Sequence, residues 1–187
     1  KRSKDYEKMA YKEQLIQKQA YVEKLFDTFS VLPIIANKPD RGYRHKVVLS
    51  AVNERIGNNK YKIKLGLYEE GTKRIVPNLK HFVHHPKINE VFETIEQIFH
   101  KYKIKAYHPS DKSGMMKHVL IRKSYAFDEM LVVFVTMGYI LPNHKQIIKE
   151  LVEKHPEVKT VVQNMHLPRV ITAILGGCGL GITGCVL

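Results

Sequence analysis

The fold class of this chain is decided by residues 44–52, which have the sequence RHKVVLSAV. Their apolar side chains fall on alternate positions, which is the period of a β-strand. After the turn residues GNN at 57–59, residues 61–68 repeat the alternation, with Lys60, Lys62 and Lys64 facing away from the Ile and Leu side chains. A second turn precedes residues 74–76. These features predict a β-meander with a strongly basic face.

The rest of the chain predicts helices that alternate with strands. Over residues 5–29 apolar side chains recur at helical spacing, with Asp5 as the N-cap, and we expect most of the aromatic residues there to be core. Leu131–Val135 is apolar on both faces and predicts a central strand. The other predicted elements are helices over 86–102 and 142–154 and strands over 116–124, 130–136, 158–163 and 170–175. The predicted fold class is α/β in the mixed (α+β) sense, a meander and mixed sheet packed by about three main helices.

The chain carries a large excess of positive charge. Of its 187 residues, 31 are Lys or Arg and 18 are Asp or Glu, so the formal net charge is +13. Hydrophobic residues make up 44%, which allows a buried core and disfavours wholesale disorder. Because each neutralised phosphate releases condensed counterions, this excess favours RNA or DNA as partner over a basic protein with no nucleic-acid role.

Cysteines and apolar segments bear on the compartment. Cys178 and Cys185 are the only cysteines, which excludes a disulfide framework and a four-cysteine metal site and suits a reducing cytosol. The charged start, KRSKD, predicts no signal peptide. The uncharged stretch 170–187 contains five glycines, which weaken a helix, and lies at the lower edge of spanning length. We expect a cytoplasmic protein with no membrane association.

An ordered series of short motifs extends over residues 5–176. In order, these are YKEQL at 11–15, YRHK at 43–46, GLY at 66–68 with Gly71, IVP at 75–77, HPKINE at 85–90, Gly114 with HVLIR at 118–122, LVV at 131–133, VQN at 162–164 and ILG at 174–176. With this series the chain resembles the central domain of the S-adenosylmethionine-dependent RNA (uracil-5-)-methyltransferases, in particular the 23S ribosomal RNA branch. No single motif is diagnostic, whereas the ordered set is fairly specific.

The resemblance implies a domain organisation. Family members place an OB-like RNA-binding domain before this region and a Rossmann-like methyltransferase domain after it. The latter supplies the S-adenosylmethionine site, the general base and a cysteine thiolate, which is needed because carbon 5 of uracil becomes nucleophilic only after addition at carbon 6. Cys178 and Cys185 do not match that cysteine motif. We therefore expect residues 1–175 to be an RNA-binding central domain, truncated before the catalytic domain and inactive alone, and residues 176–187 to be an atypical glycine-rich apolar tail.

Many members of the family also bind an iron–sulfur cluster through four cysteines. The nearest corresponding positions hold Lys1, Lys4 and, at or near the later one, His81, and a protonated lysine does not replace a thiolate. We expect no cluster. A metal site built from His81, His84 and His85 is the weaker alternative to a His-Pro turn that opens a helix, because no carboxylate or cysteine completes the set.

The tail contains a formal G-x-G-x-x-G, the sequence GLGITG at 179–184. In nucleotide-binding proteins such a loop opens a helix, and neighbouring acidic residues help to hold the ligand. Here only three residues follow Gly184 and no acidic residue is near. We therefore expect no working nucleotide site in the tail.

The resemblance assigns RNA contacts to two of the motifs. These contacts are Arg44, His45 and Lys46 in the first motif and Lys117, His118 and Arg122 in the second. Lys117 stands where the family commonly has arginine, so the charge is kept and the bidentate fork is lost. The expected role of these side chains is to neutralise and position phosphates.

Four further residues have alternative roles. Tyr43 and Tyr68 are candidates for stacking on an unpaired base and, equally, candidates for the core. Gln163 and Asn164 are expected to support the interface with the catalytic domain. The main hypothesis is an RNA-binding, substrate-positioning module. The alternatives are a scaffold that no longer binds RNA and a self-contained enzyme that uses the glycine-rich tail.

Overall fold

The computed structural model describes residues 9–57, 60–77, 81–138 and 140–165. The chain divides into two compact units, Lys1–Tyr43 and Arg44–Leu187. Asp5, the predicted strand over 170–175, the predicted domain boundary after residue 175 and the glycine-rich tail lie outside the described residues.

The first unit contains helix α1 (Tyr11–Leu25) followed by irregular chain. Side chains of the helix bind the chain that follows it: the Gln19 amide bonds to Leu32 O and Ile34 N, and the Tyr11 hydroxyl accepts from Asn37 N. The predicted burial of this helix is wrong, because none of its residues is buried. Periodicity identified the helix correctly, but it does not show whether another element covers the apolar stripe.

Within its described residues, the second unit is a six-stranded sheet with two helices. Its elements are strands β1 (Lys46–Gly57), β2 (Lys60–Tyr68), β3 (Ile75–Pro77), β4 (Met116–Lys123), β5 (Met130–Thr136) and β6 (Val158–Met165), and helices α2 (Pro86–Lys101) and α3 (His144–Lys154). The strand order is β3-β2-β1-β4-β5-β6, antiparallel throughout except for the parallel pair β5–β6. The predicted mixed fold, the meander and the interior position of residues 131–135 are confirmed.

The core lies on one face of the sheet. Alternate residues of the inner strands, such as Leu49, Val119 and Phe134, are fully buried and form one cluster with the apolar stripes of the two helices. The Phe99 ring of α2 lies 5.3 Å from the Phe134 ring of β5. Helix α2 begins where expected, because Pro86 follows His85, whose ring accepts a hydrogen bond from Lys87 N.

The opposite face of the sheet, here called the open face, is covered by neither α2 nor α3. Strand alternation places Lys46, Val48 and Ser50 of β1 on this face, beside Arg122, Leu120 and His118 of β4. Val48 and Val162 remain 43% exposed there. Every described helix is too short or too polar to cross a bilayer.

Candidate nucleic-acid interface

Two of the predicted RNA-binding residues meet across the sheet. Lys46 begins β1 and Arg122 lies near the end of β4, and the antiparallel register places them directly opposite each other. The same row continues from Arg122 to Leu131 on β5 and from Leu131 to Thr160 on β6. The row therefore crosses four strands at the end of the sheet where β1, β5 and β6 begin and β4 ends.

This row lines an open cleft of about 750 Å³. Its walls are His45, Lys46, Arg122, Lys123, Ser124, Tyr125, Glu129, Met130, Leu131, Lys159 and Thr160. Four of these residues are Lys or Arg and one is acidic. Such a concentration of positive charge in a concave surface attracts anions and holds them more strongly than isolated surface lysines do. We call this feature the cationic cleft.

The turn between β4 and β5 forms one wall of the cationic cleft, and an ion-pair bridge holds it. Asp128 bonds to Lys87 at the start of α2 and to Lys123, whose Nζ lies 3.3 Å from its carboxylate. Bonding to Lys87 first, and to Lys123 second, holds the pKa of Asp128 below its usual value, and the same bond raises the pKa of Lys87. The bridge therefore stays charged at neutral pH.

Two histidine rings pack at the cleft: His45 lines it, and His85 lies beside His45 outside the lining. The His45 ring contacts the rings of His85 and Tyr125 at centroid distances of 5.3 and 5.4 Å. His45 Nδ1 is buried and finds no hydrogen-bond partner among the described residues. Partial burial, followed by the charges of Lys123, His45 and Lys87, lowers the pKa of His85. Both rings act here as packing for the cleft wall, and His85 also caps α2.

Arg44 lies just before β1 and is exposed. Its backbone N–H donates to Val83 O, and its carbonyl accepts from His85 N, as part of a parallel bridge with His84. These bonds fix the entry of the chain into β1 while leaving the guanidinium at the surface. Arg44 is thus placed next to the cleft-lining pair His45 and Lys46 in sequence, although it does not line the cleft itself.

Lys117 and His118 lie near the start of β4, away from Arg122, and do not line the cleft. The Lys117 ammonium lies 5.7 Å from the centre of the Tyr107 ring, and the His118 ring bonds to Ser50 Oγ at 3.0 Å. Burial, followed by the neighbouring charge of Lys117, lowers the pKa of His118. This ring therefore serves as a neutral cross-strand partner of Ser50 on the open face. The structure separates these two residues from Arg122, with which the sequence grouped them.

The two candidate tyrosines are both exposed, which removes the core alternative for each. Tyr68 ends β2 and is 56% exposed, and strand alternation places it on the same face as Gly66, the partner of Ser50. Tyr43 is 42% exposed and ends the first unit. Neither lines the cationic cleft.

The predicted lysine row of β2 is remote from the cleft. Lys62 and Lys64 pair with Glu54 and Val52 of β1, so Lys62 lies eight residues along the strand from Lys46, which is about 26 Å. Lys64 also binds Glu96 of α2 at 3.2 Å, and the other Glu96 oxygen accepts from Leu65 N. This row therefore lies away from Lys46, because the antiparallel hairpin carries it to the other end of β1.

Gln163 has a role inside the unit. Its amide oxygen accepts from Leu141 N and its amide nitrogen donates to the Thr136 hydroxyl, which ties β6 to the chain between β5 and α3. The side chain of Asn164 lies outside the described residues. Within the described ranges, no three side chains of His, Cys, Asp or Glu lie in positions to hold a metal ion, and His81 and His84 instead have rings 5.3 Å apart.

Among the cationic and aromatic residues that line the cleft, the sequence missed three: Lys123, Tyr125 and Lys159. Lys123 directly follows Arg122, and Tyr125 directly follows the predicted strand over 116–124. Both could therefore have been inferred from their positions next to Arg122 at the end of that strand. Lys159 had no such signal, because its position depends on the parallel pairing of β6 with β5.

In sequence, the chain is similar to several proteins described as RNA methyltransferases. No protein-family model matches the chain. It is 31% identical over 175 residues to an uncharacterized RNA methyltransferase of Oceanobacillus iheyensis, covering 90% of this chain and 37% of that protein. Uncharacterized RNA methyltransferases of Enterococcus faecalis and Halalkalibacterium halodurans are 28% and 27% identical, over 90% and 94% of this chain and 37% and 38% of theirs. The chain thus spans little more than a third of the length of these relatives.

A solved structure shares the fold. This is the Pyrococcus abyssi tRNA (uracil-54, C5)-methyltransferase in complex with S-adenosyl-L-homocysteine, with a TM-score of 0.57 and 20% sequence identity. The match covers 74% of this chain and 32% of that one. At this identity the similarity shows a common fold.

Proposed function

We propose that this chain binds RNA through the cationic cleft and positions a uridine for methylation at carbon 5. The methyl donor would be S-adenosylmethionine, bound by another part of the whole protein, so that these 187 residues alone are inactive. The proposed substrate is ribosomal RNA. The observation that carries the proposal is the cleft itself. Its lining contains four basic side chains and one acidic residue; the basic ones are Lys46, Arg122, Lys123 and Lys159.

The chemistry of the cleft fits a phosphodiester strand. Lys46 and Arg122 are both exposed on the same row of the open face, and the guanidinium can form two parallel hydrogen bonds to one phosphate. A folded chain with a net charge of +13 attracts polyanions over a long range, and the cleft gives this attraction a defined place. The relatives support RNA, since all three are described as RNA methyltransferases.

Salt dependence of binding tests the cleft directly. Each phosphate contact to single-stranded nucleic acid contributes about −0.7 to the slope of log K against log salt concentration. Because Lys123 is paired with Asp128, we count contacts from Lys46, Arg122 and Lys159, which predict a slope of about −2. The double substitution Lys46→Thr with Arg122→Thr should weaken binding to a ribosomal RNA fragment and reduce the steepness of the slope by about 1.4.

The matched control removes the same charge elsewhere. Lys60→Thr with Lys62→Thr also lowers the net charge by two, at the opposite end of β1, and should leave the slope almost unchanged. Equal losses from both double variants would mean that RNA senses only the net charge. Loss in neither would mean that RNA binds elsewhere than in the cleft, and a wild-type chain with no RNA affinity would favour the alternative of a non-catalytic scaffold that does not bind RNA.

Two further measurements test the finer parts of the proposal. Incubation with labelled S-adenosylmethionine and ribosomal RNA should incorporate no methyl group, and incorporation would contradict the proposed inactivity. Competition between ribosomal RNA fragments and transfer RNA should favour the former. Preferential binding of transfer RNA would contradict the choice of substrate.

A further inference from the structure

We infer that Tyr125 stacks on an unpaired base, so that the cationic cleft binds single-stranded RNA more tightly than a continuous duplex. This inference rests on the proposed function and names the form of RNA that the same cleft accepts. Tyr125 was not among the residues that the sequence pointed to. It lines the cleft beside Arg122 and Lys123.

The tyrosine ring is exposed at the cleft wall. It is 91% accessible to solvent, so the ring takes almost no part in the buried core. The His45 ring contacts it edge-on, with centroids 5.4 Å apart and planes at 65°. This contact leaves the Tyr125 side chain almost fully exposed, so a face of its ring remains available for another flat group.

The segment that carries Tyr125 is held in place before any ligand arrives. Ser124 N donates to Glu129 O, which closes the turn, and Phe127 N donates to the Ser124 hydroxyl. The Asp128 bridge to Lys87 and Lys123 ties the same turn to helix α2 and strand β4. Because the turn is already ordered, stacking on Tyr125 does not have to pay the full entropy of fixing a loop.

The combination of a fixed ring and neighbouring cations selects single strands. Stacking on an aromatic side chain requires a base with an accessible face, and both faces of a base inside a duplex are covered by the adjacent bases. RNA-binding proteins that read single strands commonly combine a positively charged groove for the backbone with aromatic side chains for the bases. Lys46, Arg122 and Lys159 supply the first part, and Tyr125 supplies the second.

Phe127 provides an internal control. It belongs to the same turn and is 69% exposed, but it does not line the cleft. A general preference of the turn for any hydrophobic ligand would involve both rings. Stacking on a strand that lies in the cleft involves Tyr125 alone.

The absence of tryptophan from the chain permits a direct optical test. Tyr125→Trp and Phe127→Trp each introduce a sole tryptophan at an exposed position, so folding is not at risk. Titration with a single-stranded oligoribonucleotide should quench the emission of Tyr125→Trp, while a duplex of the same length leaves it unchanged. Phe127→Trp should respond weakly to both.

Affinities complete the test. Tyr125→Ala should weaken single-strand binding about tenfold, the usual scale for one stacked base, without changing duplex binding, and Tyr125→Phe should retain the wild-type affinity. Wild-type affinity in Tyr125→Ala, with no quenching of Tyr125→Trp, overturns the inference. If Lys46→Thr with Arg122→Thr still loses RNA binding in that case, the proposed function survives; if that variant also binds normally, both fall.

Discussion

Lys46 and Arg122 face each other across the β1–β4 ladder, with like charges on the open face. Residues directly opposite in an antiparallel pair have Cβ atoms about 4.5–5.5 Å apart, and like charges at this distance destabilise a sheet. Further along the same ladder, Ser50 and His118 form a hydrogen-bonded neutral pair instead. The repulsion between Lys46 and Arg122 therefore lies in the cleft, where a bound anion would reduce it.

Removing one member of the like-charged pair should stabilise the free protein while impairing RNA binding. We expect Lys46→Thr to raise the free energy of unfolding by about 0.5 kcal/mol at low salt. Lys62→Thr is the matched control, because Lys62 faces Glu54 and the same substitution there removes an attraction. Urea denaturation in low and high salt measures both. Equal shifts in the two variants would show that the threonine, and not the charge, is responsible.

Gly66 permits the close approach of strand β3. A Cβ at this position would lie 2.2 Å from the carbonyl oxygen of Val76, closer than any real contact. Gly66→Ala should therefore detach β3 or shift the β2 backbone and cost about 1–3 kcal/mol. Gly57→Ala, which meets nothing within 4 Å, should cost far less. Thermal unfolding of both variants is the measurement, and similar melting temperatures would contradict the close pairing of β2 with β3.

The two units should respond differently to loss of an aromatic ring. Phe134 is 1% exposed and packs against Phe99, whereas Phe29 is 73% exposed. Phe134→Ala should lower the free energy of unfolding by about 3–5 kcal/mol, while Phe29→Ala should change it by about 0.5 kcal/mol or less. Chemical denaturation compares them. A large loss in Phe29→Ala would indicate that this ring is covered in solution.

Stability should fall on mild acidification, in part through His118. Burial and the charge of Lys117 lower its pKa from the usual 6.5, so the unfolded state takes up a proton before the folded state does. The resulting stabilisation is present above pH 6.5 and is lost as the pH falls through the lower, folded-state value. His118→Gln should therefore show a shallower decline in melting temperature between about pH 7.5 and 5. An unchanged decline would assign the effect to other groups, including His85.

The sequence predicted local elements well because each follows from a short-range pattern. A local pattern identifies a helix or a strand without any knowledge of the elements that pack against it. Examples are the alternation in residues 44–52, the Pro at the start of α2 and the apolar run at 131–135. The burial of α1 failed for the converse reason: an apolar stripe shows that a helix can pack, and its exposure depends on elements outside the pattern.

The site was predictable only in part, because pairing decides it. Lys46 and Arg122 were both chosen from the sequence, but their opposition follows from the register of β1 with β4. The same register separates Lys117 and His118 from the cleft, and the hairpin moves the β2 lysines to the far end of β1. Lys159 joins the site through a parallel crossover that no local signal reports.

The Asp128 bridge gives opposing effects on affinity and selectivity. Asp128→Asn removes a negative charge beside the cleft and releases Lys123, which is only 10% exposed in its side chain while bound to the carboxylate. Binding of any RNA should therefore become tighter. The turn also loses its ties to Lys87 and Lys123, so Tyr125 is held less firmly.

Glu129→Gln separates the two effects of that substitution. Glu129 lines the cleft and is not part of the bridge, so its neutralisation should strengthen single-strand and duplex binding equally. Asp128→Asn should strengthen duplex binding more than single-strand binding and so reduce the ratio of the two affinities. Fluorescence anisotropy with matched single-stranded and duplex RNA measures both ratios. If the two variants gave the same ratio, charge alone would account for the effect, and the bridge would have no part in orienting Tyr125.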